Sequence, residues 1–218
     1  SAPGADLRIT RIEGVGETGF AIEPSCGREV VPGRIPFLNK VQCFNFSAAC
    51  MLAVALGAQL SAASEVAPSL EPAPHRGVPH YLRDGILLYD DSYNSNPEAL
   101  ASLMESASGW KRRLVGVLGE MKELGEKSED YHRRAGEYAR GCFSSLLCVG
   151  GDGARSLSLS FSGSDRQVFW AERWEDGYRW LRGQIDPSDA VIVKGSRSIG
   201  LDKFVDRFLA DYSAGGAG

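Results

Sequence analysis

Residues 86–119 read ILLYDDSYNSNPEALASLMESASGWKRRLVGVLG, and this stretch decides the fold. It begins with an apolar run, 86–91, passes through a polar turn into a segment with helical spacing, 97–107, and ends in a second apolar run, 113–119. Runs that are apolar throughout are typical of strands buried on both faces of a parallel sheet. The stretch therefore predicts a strand, a helix and a second strand joined as one parallel unit.

The same alternation continues to residue 212. The further predicted strands are SLLCVGG (145–151), QVFWAE (167–172) and AVIVKG (190–195), and the further predicted helices are SEDYHRRAGEYARG (128–141), ERWEDGYRWLRGQ (172–184) and LDKFVDRFLADY (201–212). We therefore predict an α/β fold, with an open, mostly parallel, Rossmann-like sheet and helices on both of its faces. Ligands of such sheets bind beyond the carboxyl ends of the strands. The last residues, SAGGAG (213–218), are expected to be disordered.

The residues upstream of this sheet follow another pattern. Three short β segments come first: LRITRIE (7–13), GFAIE (19–23) and REVVP (28–32). The next segment, NKVQCFNFSAACMLAVALG (39–57), is apolar on almost all sides and predicts a buried helix, capped by Asn39 and stopped by Gly57. Within such a helix Asn45 is a buried amide, which must find hydrogen-bond partners or cost about 1–3 kcal/mol.

A second short helix is predicted over 61–70, and EPAPHRGVP (71–79) follows it with three prolines and no periodicity. This proline-rich segment is the best domain boundary in the chain. We therefore divide the chain into a first domain of residues 1–73 and a second of residues 74–218.

The overall composition excludes several classes of function. A net charge of −4 and a pI near 5.5 give no basic surface for nucleic acid or an anionic membrane. There is no apolar run of the roughly 18 residues that span a bilayer and no secretory signal, so we expect a cytoplasmic protein. Five cysteines lack CxxC spacing, and none of the three histidines has metal-ligand spacing, so no metal site is expected in this chain.

Two loops carry candidate chemistry. In DDSYNSNP (90–97), Asn96 and Pro97 make a sound helix start, but this cap leaves Asp90, Asp91, Tyr93 and Asn94 crowded at a strand end. A plain turn is the alternative interpretation. In Lys194-Gly195-Ser196-Arg197, two cations flank Gly-Ser after a strand, which suits a carboxylate or a phosphate; the alternative is a solvated turn.

Two glycine-containing loops are less informative. GEMKELG (119–125) has two glycines that permit a tight path, but taken alone it indicates no function. GGDG (150–153) does not match GxGxxG, which argues against a dinucleotide site.

Three motifs together resemble one family. DDSYNSNPEAL, VLGEMKELGEKSEDYHRRAG and VIVKGSRSIGLDKFV, in this order and spacing, are similar to the C-terminal domain of the Mur ligases, and among them to the members that add D-alanyl-D-alanine. By the same resemblance, residues 1–73 look like the end of the family's α/β ATPase domain. The resemblance implies a peptidoglycan-synthesis ligase. It would use ATP and Mg²⁺ to convert the carboxylate of UDP-N-acetylmuramoyl-tripeptide to an acyl phosphate, which the D-Ala-D-Ala amine attacks.

The resemblance also implies roles for individual residues. Asp91 would bind the ATP ribose, Asn45 and Gln42 the adenine, and Arg76 the nucleotide. Tyr93, Asn94 and Asn96 would line the cleft near the reacting centre. Lys194, Ser196 and Arg197 would meet D-Ala-D-Ala or phosphate. We expect a monomer with no nucleic-acid partner.

The chain departs from the family pattern at two places and lacks a third feature. Asn39-Lys40-Val41-Gln42 stands where the family has Gly-Arg-His-Asn, and Pro74-His75-Arg76 stands for Pro-Gly-Arg. No GxxxxGK[ST] motif occurs in the chain, so the loop that cradles ATP phosphates is missing from it. We therefore expect a part of a longer ligase that is inactive alone. The alternatives are a related folylpolyglutamate or cyanophycin synthetase, or a non-catalytic α/β binding module.

Overall fold

A computed structural model describes residues 7–163 and 166–213; residues 214–218 of the predicted disordered tail lie outside these ranges. The chain divides into two compact units. The first contains residues 1–72 and 105–111, and the second contains residues 73–104 and 112–218.

The first unit has an antiparallel sheet and two helices. Its strands are β1 (Leu7–Gly14), β2 (Phe20–Cys26), β3 (Glu29–Val30) and β4 (Gly33–Ile35), and its helices are α1 (Val41–Ala55) and α2 (Leu60–Val66). The strands β1, β3 and β4 all pair with β2. Apolar residues of this sheet, including Ile22 and Ile35, form one core with Cys43, Phe46 and Cys50 of α1.

The prediction that α1 is buried on nearly all sides is wrong. Only Cys43, Phe46 and Cys50 are buried, because the sheet and α2 cover a single face of the helix. Apolar side chains on the other face are exposed, with Leu56 at 89%. Asn45 is therefore an exposed amide rather than a buried one.

The predicted stop of α1 at Gly57 is confirmed, whereas the N-cap of the helix is Lys40 and not Asn39 as predicted. Asn39 Oδ1 accepts a hydrogen bond from the Val41 N–H (3.1 Å), at the start of the helix. Gly57 has a φ of +94°, in the region that glycine adopts most readily, and its N–H donates to the Val54 carbonyl.

The second unit confirms the predicted α/β fold. Its strands are β5 (Val78–Tyr81), β6 (Leu87–Asp91), β7 (Leu114–Gly119), β8 (Ser145–Val149), β9 (Gln167–Ala171) and β10 (Ala190–Lys194), in the order β5-β6-β10-β7-β8-β9. All neighbours pair in parallel except β5, which is antiparallel to β6. The helices are α3 (Pro97–Ala107), α4 (Ser128–Ala139), α5 (Asp152–Phe161), α6 (Trp174–Arg182) and α7 (Leu201–Tyr212). Residues 105–107, the last three of α3, are counted with the first unit.

Helices cover both faces of this sheet. Helices α6 and α7 pack on one face through an apolar cluster that contains Tyr178, Phe204 and Phe208 together with Val117 and Val193 of the strands. The alternate strand residues point to the opposite face, where α5 packs against β8 and α4 packs against α5.

Two elements of the second unit were not predicted. The strand β5 contains Pro79, which was read as part of a linker, but proline is tolerated in an edge strand such as this one. Serines at alternate positions and Gly153 in the first turn obscured helix α5. Its buried residues Ala154, Leu157 and Phe161, spaced by three and four, were the available signal.

None of the helices in the described ranges combines the length and the apolar character that a membrane crossing needs.

Candidate functional site

The candidate site lies at the carboxyl ends of three neighbouring strands. The last residue of β10, Lys194, pairs with Asp91 at the end of β6 and with Leu118 near the end of β7. The strand β10 lies between β6 and β7, although both of these strands precede it in sequence, so the strand order departs from the chain order here. Open α/β sheets bind ligands at such a change of strand order.

Asp91 and Lys194 form a buried ion pair at this edge. Lys194 Nζ donates to Asp91 Oδ2 (2.7 Å) and to the carbonyl oxygen of Asn94 (2.8 Å), and the lysine is 3% exposed. Burial raises the pKa of the Asp91 carboxyl above its ordinary value, the Lys194 ammonium opposes that rise, and nearby Asp90 adds to it. The pair fixes the path of the loop that follows β6.

Asp90 holds the linker to the same strand end. One carboxylate oxygen accepts hydrogen bonds from the N–H (3.1 Å) and the hydroxyl (2.6 Å) of Ser92, and the other lies 2.8 Å from His75 Nδ1. His75 in turn accepts a hydrogen bond on its carbonyl oxygen from the Tyr93 N–H (3.0 Å). Sequence reasoning gave Asp90 no role, yet it connects the linker to the loop.

The structure accounts for one departure from the family pattern. His75 stands where the resembling family has glycine, and its φ is +60°, in the left-handed region. A non-glycine residue costs about 1–2 kcal/mol in that region. The contact between His75 and the buried carboxylate of Asp90 offsets part of this cost.

Two arginines face one tyrosine ring. The guanidinium carbon of Arg76 lies 3.9 Å from the centre of the Tyr93 ring, and that of Arg197 lies 5.6 Å from it. Arg197 also has a loose ion pair with Asp202 (3.4 Å) and remains exposed. The face of an aromatic ring attracts a cation, so the Tyr93 ring holds both positive charges beside the loop.

A cavity of about 640 Å³ opens next to this ring. Its lining residues are Tyr93, Asn94, Ser95, Asn96, Lys122, Glu123, Leu124, Ser196, Arg197 and Ser198. Five of the residues predicted from the sequence, namely Tyr93, Asn94, Asn96, Ser196 and Arg197, therefore line one cavity.

The other predicted residues lie elsewhere. Lys194 is buried beneath its contacts with Asp91 and Asn94 and is not among the residues that line the cavity. Gln42 and Asn45 lie on α1 in the first unit, where Asn45 Nδ2 donates to Gln42 Oε1 (3.0 Å).

Asn96 caps the helix that leaves the cavity, as predicted. Its Oδ1 accepts a hydrogen bond from the Ala99 N–H (2.8 Å), which satisfies one of the free donors of the first turn of α3. This bond occupies the side-chain oxygen of Asn96, and the amide nitrogen of Asn96 remains a hydrogen-bond donor.

The loop 119–125, which taken alone indicated no function, contributes Lys122, Glu123 and Leu124 to the cavity wall. The Lys122 N–H donates to Ser196 Oγ (2.9 Å), and Lys122 Nζ donates to Glu120 Oε2 (2.8 Å). The same Glu120 oxygen accepts the Gly151 N–H (2.8 Å) before α5. The two glycines had indicated a tight path, and Gly125 has a φ of +59°.

Within residues 7–163 and 166–213, no three His, Cys, Asp or Glu side chains come together in an arrangement that could hold a metal ion.

Sequence comparison identifies the family. A profile described as "Mur ligase, glutamate ligase domain" matches residues 78–197, which is more than half of the chain and includes every residue that lines the cavity except Ser198. The chain belongs to the Mur ligase family. Most of the second unit is therefore a Mur ligase C-terminal domain.

Individual Mur ligases align with most of the chain. The UDP-N-acetylmuramoyl-tripeptide–D-alanyl-D-alanine ligase of Mycobacterium tuberculosis (strain CDC 1551 / Oshkosh) is 34% identical over 197 residues, which cover 78% of this chain and 38% of that ligase. The ligase of the same name from Escherichia coli (strain K12) is 30% identical over 207 residues, covering 94% and 45%.

The fold likeness extends to a solved structure. The MurF ligase from Thermotoga maritima, crystallised in complex with ADP, superposes with a TM-score of 0.82 at 21% identity, over 96% of this chain and 47% of that one. The chain thus spans less than half the length of these Mur ligases.

Proposed function

We propose that this chain is the C-terminal part of an ATP-dependent ligase that joins D-alanyl-D-alanine to UDP-N-acetylmuramoyl-tripeptide in peptidoglycan synthesis. One observation carries the proposal. The loops 92–96, 122–124 and 196–198, which come from the three motifs of the family resemblance, line a single cavity at the carboxyl edge of the sheet. The names of the Mycobacterium tuberculosis and Escherichia coli relatives support the choice of substrates.

The nucleotide side of the reaction is assigned to Asp91 and Arg76. Asp91 ends a strand at the ligand edge, and its carboxylate is of the type that accepts hydrogen bonds from a pair of ribose hydroxyls. Arg76 adds a permanent positive charge on the exposed side of Tyr93. Gln42 and Asn45 offer amides to the adenine. The ADP in the Thermotoga maritima structure supports nucleotide use by this family.

The dipeptide side is assigned to the loop after β10. Arg197 is exposed and only loosely paired with Asp202, so it can exchange that partner for the carboxylate of D-Ala-D-Ala through two parallel hydrogen bonds. Ser196 holds the Lys122 N–H and shapes the same wall. Lys194 is buried, and it contributes a positive charge to the site from beneath the loop. This charge would also favour a phosphate group, which is the alternative ligand.

Tyr93, Asn94 and Asn96 are assigned to the reacting centre. They line the same cavity as Arg197, and two of them carry amides that can orient a reacting group. ATP with Mg²⁺, when bound, supplies the phosphoryl group that activates the tripeptide carboxylate. The described residues place no Mg²⁺ ligand set, so we assign the metal and the ATP phosphates to a part of the ligase outside this chain.

The domain assignment follows from the same proposal. Residues 1–73 would be the end of the ATPase domain, and residues 74–218 would be the C-terminal domain that contributes the dipeptide site. We expect the ligase to act in the cytoplasm as a monomer.

Phosphate release measures the proposed activity. The full-length ligase should release phosphate only when ATP, UDP-N-acetylmuramoyl-tripeptide and D-Ala-D-Ala are all present, with glutamate or L-Ala-L-Ala as control acceptors. The 218-residue chain alone should release none above a no-protein control, because it lacks the phosphate-binding loop. Equal activity with glutamate would overturn the substrate assignment, and phosphate release by the chain alone would overturn the division of labour.

A further inference from the structure

His132 is a fully buried histidine that the proposed reaction does not use. It lies on α4, and its exposed fraction is 0%. Its Nε2 lies 2.9 Å from the backbone nitrogen of Met121, and its Nδ1 lies 2.7 Å from the carbonyl oxygen of Ser128. A backbone N–H can only donate and a carbonyl can only accept, so Nε2 must be unprotonated and Nδ1 must carry the hydrogen. Both contacts are satisfied only by one neutral tautomer.

Helix α5 packs closely against the His132 ring. A Cβ atom added to Gly153, in the first turn of α5, would lie 2.6–2.9 Å from three atoms of the His132 ring. Only glycine therefore fits against the ring at that position. The charged groups that face the imidazole are Glu120, whose carboxylate accepts the Gly151 N–H, and Lys122, whose ammonium binds that carboxylate.

The group that His132 holds belongs to the cavity wall. The Met121 N–H donates to His132, and the next N–H, that of Lys122, donates to Ser196 Oγ. Two successive amides are thus bound by elements on different sides of the loop. This fixes the peptide between them, and the chain then passes through Glu123 at a φ of +64°. The side chains of Lys122, Glu123 and Leu124 line the cavity as a result.

We propose that His132 is a positioning residue. Its neutral imidazole holds the Met121 N–H, and through it the loop 120–124, whose residues 122–124 line the cavity. That the loop shapes the site for the incoming dipeptide rests on the proposed function; that His132 holds the loop does not.

The tautomer can be measured without any substitution. Nitrogen-15 NMR of the 218-residue chain at pH 7 should show His132 with a protonated Nδ1 and an unprotonated Nε2. An Nε2–H tautomer or an imidazolium at this pH would overturn the proposal, because neither can accept the Met121 N–H through Nε2.

Amide hydrogen exchange tests the effect on the loop. His132→Leu replaces the imidazole with an apolar side chain of similar size and so removes the hydrogen-bond acceptor. Hydrogen exchange at the Met121 amide should then become about tenfold faster, while the amides of β7 and β8 keep their protection. His132→Gln, which retains an acceptor and a donor, should restore part of the protection. His80→Gln, in the edge strand β5, is the matched control and should leave Met121 unchanged. Unaltered exchange at Met121 in His132→Leu, or an equal loss of protection across the sheet, would overturn the proposal.

Kinetics of the full-length ligase separate this inference from the proposed function. His132→Leu should raise the KM for D-Ala-D-Ala about tenfold, while the KM for ATP stays within twofold, and His132→Gln should lie between the two proteins. An unmodified ligase without dipeptide-dependent phosphate release would contradict the proposed function alone. Faster hydrogen exchange at the Met121 amide of His132→Leu, together with an unchanged KM for D-Ala-D-Ala, would overturn the link between the loop and that substrate.

Discussion

Asp91 and Lys194 end neighbouring parallel strands at paired positions, and their side chains meet at 2.7 Å in a site where the lysine is almost inaccessible to solvent. A buried ammonium without its carboxylate is costly, because neither water nor another charge replaces the lost partner. This contact changes what substitution of Asp91 is expected to do.

We predict that Asp91→Ala lowers the free energy of unfolding of the chain by about 3–5 kcal/mol, as breaking a buried pair generally does. The family resemblance implied only that Asp91 binds the ATP ribose, whereas the buried pair gives this residue a structural role as well. Urea denaturation measures the effect. The double variant Asp91→Ala, Lys194→Met should recover most of the loss, since it leaves no unpaired charge. A single variant as stable as the parent chain would mean that the pair contributes nothing.

His75 offers a test of backbone strain. Glycine adopts a φ of +60° without penalty, whereas alanine pays about 1–2 kcal/mol. Both His75→Gly and His75→Ala lose the contact with Asp90, so their difference isolates the backbone. We predict that the alanine variant is less stable than the glycine variant by about 1 kcal/mol. Equal midpoints in parallel denaturation curves would contradict a left-handed His75.

Arg197 is expected to bind the dipeptide carboxylate. Arg197→Lys keeps the charge but removes the planar pair of donors, so we predict a loss of roughly 1.5–3 kcal/mol in D-Ala-D-Ala binding. That loss corresponds to roughly a 12- to 140-fold higher KM. The KM for ATP should hardly change. Steady-state kinetics with each substrate varied in turn make the measurement, and Arg173→Lys, an exposed arginine paired with Glu175, serves as the control. An effect on ATP alone would assign the loop to the nucleotide.

His132 predicts a pH dependence of stability. Burial lowers the pKa of His132 below its ordinary value, and Lys122 adds to this, while the contact with Ser128 and the charge of Glu120 oppose it. The unfolded chain therefore binds this proton at a higher pH than the folded chain does. The stabilising contribution is complete above a pH of about 6.5, the usual histidine pKa, and is lost as the pH falls toward the lowered pKa. Denaturation of the parent chain and of His132→Gln between pH 7.5 and pH 5, which are about one unit above and 1.5 units below that usual value, should show a smaller loss in the variant. Parallel pH profiles would contradict the assignment.

The sequence predicted the sheet well because its strands are apolar throughout. A run such as AVIVK in β10, which is apolar up to its final lysine, indicates a strand that is buried on both faces of a parallel sheet. The direction of the strands and the edge that binds ligands then follow from the parallel sheet. The same reasoning failed for the burial of helix α1, because an apolar helix surface does not show which other elements cover it.

The site was predicted as a set of residues but not as a set of contacts. Tyr93, Asn94, Asn96, Ser196 and Arg197 meet because parallel strands place their following loops at one edge. No spacing rule, however, connects Lys194 to the Asn94 carbonyl or His132 to the Met121 N–H. Such contacts depend on side-chain direction in three dimensions, which the sequence pattern leaves open.

Gly119 and Gly195 limit how the sequence of this site can diverge. A Cβ atom on Gly119 would lie 3.0 Å from the Cα of Gly195, and a Cβ atom on Gly195 would lie 2.9 Å from the Cα of Gly119. Every other amino acid carries that atom. A single mutation at either position must therefore move the end of β7 away from the end of β10, whichever new residue it introduces. Two of the loops that line the cavity follow these strand ends, so a change at either glycine would also shift the cavity wall.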